Sequence, residues 1–187
     1  NIAIVVIDVT IGLEKQDLFV IEQAVEKKKG ILLCVNKWDL IEKDEKTAIQ
    51  FEKKLRSVLR EYDYLPIMFV SALTKQRIYT IIEAAKEINE ERGRRIATPT
   101  LNEHFEETFF HSPPPSKTGK DISLKYVTQT KINPPVFVFF ANEPKLITEN
   151  YKRFLERKLR EGFGFAGVPL TLQLDRKSTR LNSSHRT

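Results

Sequence analysis

Apolar residues in the first half of the chain alternate between short continuous runs and helical spacing. Three runs, Ile2–Ile7, Ile31–Val35 and Pro66–Val70, have the length of strands and the unbroken apolar character of strands covered on both faces of a parallel sheet. Ile2–Ile7, rich in β-branched residues, is expected to be a central strand. Between and after the runs the apolar period changes to that of helices. Gln16–Glu26 is expected to turn Phe19, Val20 and Ala24 toward the sheet, and Thr47–Glu61 to turn Phe51, Leu55, Val58 and Leu59. Ile78, Ile81, Ile82, Ala85 and Ile88 repeat the pattern in a third helix. Strand, helix, strand, helix, strand, helix is half of a doubly wound α/β domain.

The chain divides near Gly93, and the pattern then changes. Thr98 is placed to cap a helix with Pro99 at its first position, where a missing N–H costs nothing, and Leu101, Phe105 and Phe109 follow at helical spacing. Pro113-Pro114-Pro115 must leave that helix as an extended connector. Ser123–Lys131 and Val136–Ala141 read as paired strands, Glu149–Gly162 as a helix marked by Tyr151, Phe154, Leu155 and Leu159, and Pro169–Leu174 as a last strand. The order is α-β-β-α-β, three strands backed by two helices.

Composition narrows the setting. Half of the formal net charge of +6 lies in Asp175–Thr187, so the rest of the chain is only mildly basic. Asp175–His185 is polar, has no periodicity and resembles the translation of a sequencing-adapter oligonucleotide, so 175–187 is expected to be a non-native tail outside the fold. The single cysteine, Cys34, sits inside an apolar run and reads as a small core residue, and one cysteine permits no disulfide. There is no run long enough to span a membrane, and no metal-ligand spacing among His104, His111 and His185. A cytoplasmic location is expected, with no membrane partner.

The chemistry concentrates where the second run ends, at Asn36-Lys37-Trp38-Asp39. A carboxylate at Asp39 accepts both the ring N–H and the exocyclic amine of guanine. Adenine offers no donor in those places, so the wrong base leaves a charge unpaired. Asn36 has an amide that meets the Hoogsteen edge of the base or else ties the loop to its neighbours, and the methylene stem of Lys37 is long enough to lie across a purine face. Trp38 is expected to pack. The third run ends in Ser71-Ala72-Leu73, and loops at the carboxyl ends of neighbouring parallel strands are where an open α/β sheet forms its ligand crevice. Asp8, at the end of the first run, reads as a structural turn residue.

Order and spacing carry a resemblance. Val6-Ile7-Asp8 is followed by Gly12, Glu14, Gln16 and Asp17, then by Asn36–Leu40 and Ser71–Leu73. Later come Arg94-Arg95-Ile96, Pro113-Pro114-Pro115, Tyr126, Thr128-Gln129, Asn133-Pro134-Pro135, and Leu159-Arg160-Glu161 with Gly162-Phe163-Gly164. From Ile4 to about Leu174 the chain resembles the bacterial tandem GTPases of the Der (EngA) family, over the latter half of the second G domain and the KH-like domain. The resemblance implies an incomplete P-loop-NTPase-type parallel sheet in 1–92 and an α+β KH-like domain in 93–174. It implies that Asn36, Lys37, Asp39, Ser71, Ala72 and Leu73 contact the nucleotide, with the Ala72 N–H offered to the base O6 and the Ser71 hydroxyl steadying Asp39. GTP or GDP with Mg²⁺, and the 50S ribosomal subunit and its rRNA as partner, follow from the same resemblance, as does intramolecular contact between G domains and KH-like domain.

A phosphate-gripping G-x-x-x-x-G-K-[ST] is absent from the sequence, as is the D-x-x-G element of a γ-phosphate sensor. The chain is therefore expected to start in mid-domain, to leave an edge of the Ile2–Ile7 strand unpaired because the strands that pair with it in the family fold are missing, to hold no Mg²⁺ ligand and no general base, and neither to hydrolyse GTP nor to bind it measurably by itself. Gly164-Phe165-Ala166-Gly167 has the G-x-x-G spacing of a KH clamp, but a strand rather than a helix is expected after it, so it reads as a helix stop. Lys117, Lys120, Lys125, Lys131, Lys152, Arg153 and Arg157 are either phosphate contacts or a solvated face. Two other readings stand beside this one: an Era-like G protein with an RNA-binding KH domain, and an RNA- or ribosome-binding module in which Asn36 and Asp39 are turn residues.

Overall fold

The structure, a computed structural model, describes residues 1–42, 47–116 and 119–176; Lys117 and most of the expected tail, 177–187, lie outside the described residues. The chain forms two units, one of Asn1–Arg94 with Phe165–Pro169, the other of Arg95–Gly164 with the chain from Leu170 onward.

The first unit is a parallel sheet in the order β1 (Ile2–Asp8), β2 (Gly30–Asn36), β3 (Ile67–Phe69), with α1 (Lys15–Glu26), α2 (Thr47–Leu59) and α3 (Ile78–Gly93) between and after the strands. The most apolar run takes the centre: Gly30 through Val35 are all buried, as a strand with neighbours on both edges and both faces requires. Ile31, Leu33 and Val35 join Val5 and Ile7 of β1, Ile21 of α1, and Leu55 and Leu59 of α2 in one core.

The burial expected for several side chains is corrected here. Ile2–Ile7 is an edge strand, as expected for half a sheet, but it is not covered on both faces: Val5 and Ile7 are buried while Ile4 and Val6 are exposed. An unbroken apolar run permits burial on both faces, and only neighbours laid against it bring that about. In α1, Phe19 and Val20 face solvent at 59% and 47% exposure, while Leu18, Ile21, Ala24 and Val25 pack on the core. Leu18, Phe19, Val20 and Ile21 wrap more than half a helical turn, so the stripe at i, i+3, i+7 from Leu18 competes with the expected one. In α2 and α3, Val58 and Ile82 likewise turn outward.

The second unit has the order α4 (Thr98–His111), β4 (Leu124–Lys131), β5 (Val136–Ala141), α5 (Glu149–Phe163), β6 (Thr171–Arg176). The α-β-β-α-β reading thus agrees with the structure. Its sheet runs β4-β5-β6, antiparallel then parallel. Leu101, Phe105, Val127, Phe137, Phe139, Leu155 and Leu159 are buried, with Phe105 edge-on to Phe139 at 5.1 Å. Helix α4 starts one residue earlier than expected. Ala97 is its N-cap, and the Thr98 hydroxyl, freed from capping, hydrogen-bonds the Thr128 hydroxyl at 3.0 Å. Asp175 and Arg176, assigned to the tail by composition, extend β6 opposite Phe140 and Ala141. A ladder is made by backbone groups, and polar side chains at its end do not prevent it.

Helix α5 is capped by Thr148 and ends at Gly164 with φ +78°. Beyond it the G-x-x-G turn leads to β6, with no second helix. Gly167, at φ +70°, donates its N–H to Tyr64 O (2.9 Å) and accepts from Ile31 N at 2.7 Å; a Cβ there would meet Ile31 O at 2.7 Å. Both backbone groups of Gly167 are thus engaged within the first unit.

Candidate nucleotide-binding loops

Because β1, β2 and β3 are parallel, their carboxyl ends share one side of the sheet. The chain there is knitted by backbone bonds: Val9 N donates to Asn36 O (3.0 Å), Val70 N to Val35 O (2.9 Å) and Trp38 N to Val70 O (3.1 Å). Trp38 is buried, 4.3 Å from the Phe69 ring and 5.9 Å from Phe51. It ties the short 3-10 turn Trp38–Leu40, which carries Asp39, to the core. Packing is its role, as its place in the sequence suggests.

The structure brings Asn36, Asp39, Ser71 and Ala72 together. Ser71 is fully buried; its hydroxyl donates to Asp39 Oδ1 and accepts from Thr74 N–H at 3.1 Å. Ala72 N–H donates to Asn36 Oδ1 at 3.0 Å. Of the two roles open to the Asn36 amide, tying the loops together is the one seen. This leaves Asn36 Nδ2 and Asp39 Oδ2 without a hydrogen bond among the described residues. A carboxylate oxygen and an amide N–H₂ with no hydrogen bond among the described residues are the acceptor and donor that the donor edge and the ring nitrogen of guanine would call for. The Ala72 N–H must be shared if it is also to reach a base oxygen. Leu73 is 84% exposed beside them.

Lys37 is the residue whose surroundings the sequence did not reveal. It adopts left-handed backbone, φ +63°, uncommon outside glycine, and its Nζ meets Asp8 Oδ2 at 2.7 Å. Asp8 Oδ1 in turn accepts from Thr10 N (2.9 Å) and Thr10 Oγ1 (2.7 Å). The Lys37 hydrogen bond, followed by those of Thr10, lowers the Asp8 carboxyl to about 2, and Asp8 raises Lys37. Asp8 is thus the turn residue expected, and also an ionic partner. The only hint in the sequence is the Asp-x-Thr spacing at a strand end, which favours a turn closed by the side chain.

Cys34 is fully buried and desolvation pushes its thiol up to about 11, in keeping with a core role. Among the described residues no cluster of acidic, histidine or cysteine side chains could hold a metal ion, and no helix is long and apolar enough to cross a membrane. His104 is used structurally, its Nε2 2.9 Å from Lys158 O. On α5, Lys152 pairs with Glu149, Lys158 with Glu161 and Arg160 with Glu156, so part of the basic surface is neutralised locally.

Comparison with known proteins assigns both halves. Residues 1–91 match the elongation factor Tu GTP-binding domain, and residues 95–174 the KH-domain-like module of EngA bacterial GTPase enzymes, C-terminal. GTPase Der of Chloroherpeton thalassium is 53% identical over 177 residues, 95% of this chain and 41% of that protein. GTPase Der of Prosthecochloris aestuarii is 46% identical and that of Chlorobium luteolum 48%, each over 95% of this chain and 41% of the relative. The chain therefore spans 41% of the length of these curated relatives. A solved structure of Era in complex with MgGDPNP and a 16S ribosomal RNA segment covers 94% of this chain and 64% of its own, at 14% identity and a TM-score of 0.39, too slight a likeness to bear on function. Motifs, α/β architecture and relatives agree, and the chain belongs to the GTPase Der (EngA) family.

Proposed function

We propose that the chain is part of a cytoplasmic GTPase acting in assembly of the large, 50S ribosomal subunit, and that Asn36, Lys37, Asp39, Ser71, Ala72 and Leu73 are its guanine-reading part. The observation that carries this is the Asp39 carboxylate, held through Oδ1 by a buried serine while Oδ2 has no partner among the described residues. A preset acceptor loses little freedom on meeting the base. In this reading Asp39 accepts from the guanine N1–H and 2-amino group, the Asn36 amide meets N7, and the Lys37 stem covers one face. Ser71 prevents the carboxylate from rotating away. In the whole protein, water would hydrolyse the bond between the β- and γ-phosphates of Mg²⁺-bound GTP to give GDP and phosphate, a step that depends on positioning and electrostatic stabilisation. No side chain of this chain is assigned to that step. Residues 1–92 hold the base and 93–174 form the KH-like part, for which rRNA contact is proposed from family membership. The engaged backbone of Gly167 in the G-x-x-G turn favours this reading over an Era-like clamp.

The test is Asp39→Asn in a chimera that joins the chain to the preceding part of the Chloroherpeton thalassium relative. The variant is expected to exchange preference for GDP over XDP for the reverse, because an amide presents a donor where xanthine presents an oxygen. An unchanged preference refutes the assignment.

A further inference from the structure

Two carboxylates act on the Lys37 ammonium, and only one of them holds it. Asp8 takes the 2.7 Å hydrogen bond, while Asp39, two residues along, contributes attraction through space. Were Lys37 to turn to Asp39, it would occupy the oxygen that the proposed base needs. Asp8 is well built to win. It is the last residue of β1, in register with Asn36 on β2, so its position is set by the sheet. Its other oxygen is pinned by two Thr10 bonds, which leaves Oδ2 aimed at the lysine.

We propose that Asp8 is a positioning residue for the guanine loop: it draws the Lys37 ammonium away from Asp39, leaving that carboxylate open and the lysine stem extended as a surface for the base. This rests on the base-reading role of Asp39 proposed above. Thr10 serves the same end one step removed, by fixing Asp8. The arrangement also separates the two duties of Lys37, since its charge is satisfied by Asp8 while its methylenes stay available for stacking.

The experiment measures mant-GDP affinity, in the presence of Mg²⁺, for the same chimera. Asp8→Asn is expected to weaken GDP about tenfold, the scale of one charge-assisted hydrogen bond blocked by a competing ammonium, and Asp8→Glu to weaken it less. Lys37→Met keeps a stem and removes the charge. The double variant Asp8→Asn/Lys37→Met should therefore bind like Lys37→Met alone, although it lacks the same carboxylate. A purely structural role for Asp8 would leave the double variant as weak as Asp8→Asn or weaker, and that result overturns the proposal. So does an unchanged affinity for Asp8→Asn. If instead Asp39→Asn fails to alter base preference, the base-reading assignment fails first. A second readout uses the 187-residue chain itself: NMR correlations of the Lys37 ammonium should run to the Asp8 carboxyl in the unaltered chain and to Asp39 in Asp8→Asn, and absence of that switch also overturns the proposal.

Discussion

Replacing Asn102 should unfasten the outer edge of the second sheet. Strand β4 is the edge of β4-β5-β6, and Val127, in its middle, is fully buried. A side chain of α4 takes the place of a neighbouring strand: Asn102 Oδ1 accepts from Val127 N and Asn102 Nδ2 donates to Val127 O, both at 2.9 Å, with a further bond to Thr98 O at 2.7 Å. Asn102→Ala removes the partner of both the N–H and the C=O of Val127, which are part-buried. At roughly 1–3 kcal/mol for each unsatisfied buried group, partly relieved by relaxation, the loss should be about 2–4 kcal/mol. That is a large part of the roughly 5–15 kcal/mol that stabilises an ordinary domain. Urea unfolding followed by circular dichroism gives the energy, and hydrogen exchange of the Val127 amide reports the site. Asn102→Asp is the sharper comparison, because it keeps the acceptor for Val127 N–H but sets a carboxylate against Val127 O. Its neutral form alone can donate there, so its carboxyl should be raised in the folded state, with the penalty present above that pKa and relieved as pH falls below it. An Asn102→Ala loss under about 1 kcal/mol, or undiminished protection of the Val127 amide, would refute the reasoning.

Two further outcomes are expected. Asp8, lowered from 3.8 to about 2 in the folded chain, should hold Lys37 at neutral pH and give a contribution present above pH 3.8 that is lost as pH falls toward 2; a carboxyl ¹³C titration with its midpoint at the unperturbed value would contradict the ion pair. Cys34, fully buried with its thiol raised to about 11, should resist a disulfide reagent at mildly alkaline pH until the first unit opens, whereas rapid labelling of the native chain would place it at the surface.

The sequence by itself determined the kinds of elements, their order and the chemistry of the site. Continuous apolar runs became β1, β2 and β3, helical spacing became α1 to α5, and the α-β-β-α-β order of the second unit was legible throughout, because local period and turn residues are written along the chain. Asn36 and Asp39 could be singled out for their functional groups alone, and Ser71 as the partner of Asp39 through the family resemblance. Only the tertiary structure decided which faces those elements bury. It left Ile4 and Val6 of β1 exposed, turned Phe19 and Val20 of α1 to solvent, and drew Asp175 and Arg176 into a strand, since burial depends on what lies opposite and backbone pairing ignores side-chain polarity. It also decided how the loops are tied, with Ala72 N–H on Asn36 Oδ1 and the Lys37 ammonium on Asp8. Those bonds join residues far apart in the chain, which become neighbours only when parallel strands align their ends, and no local pattern encodes that alignment.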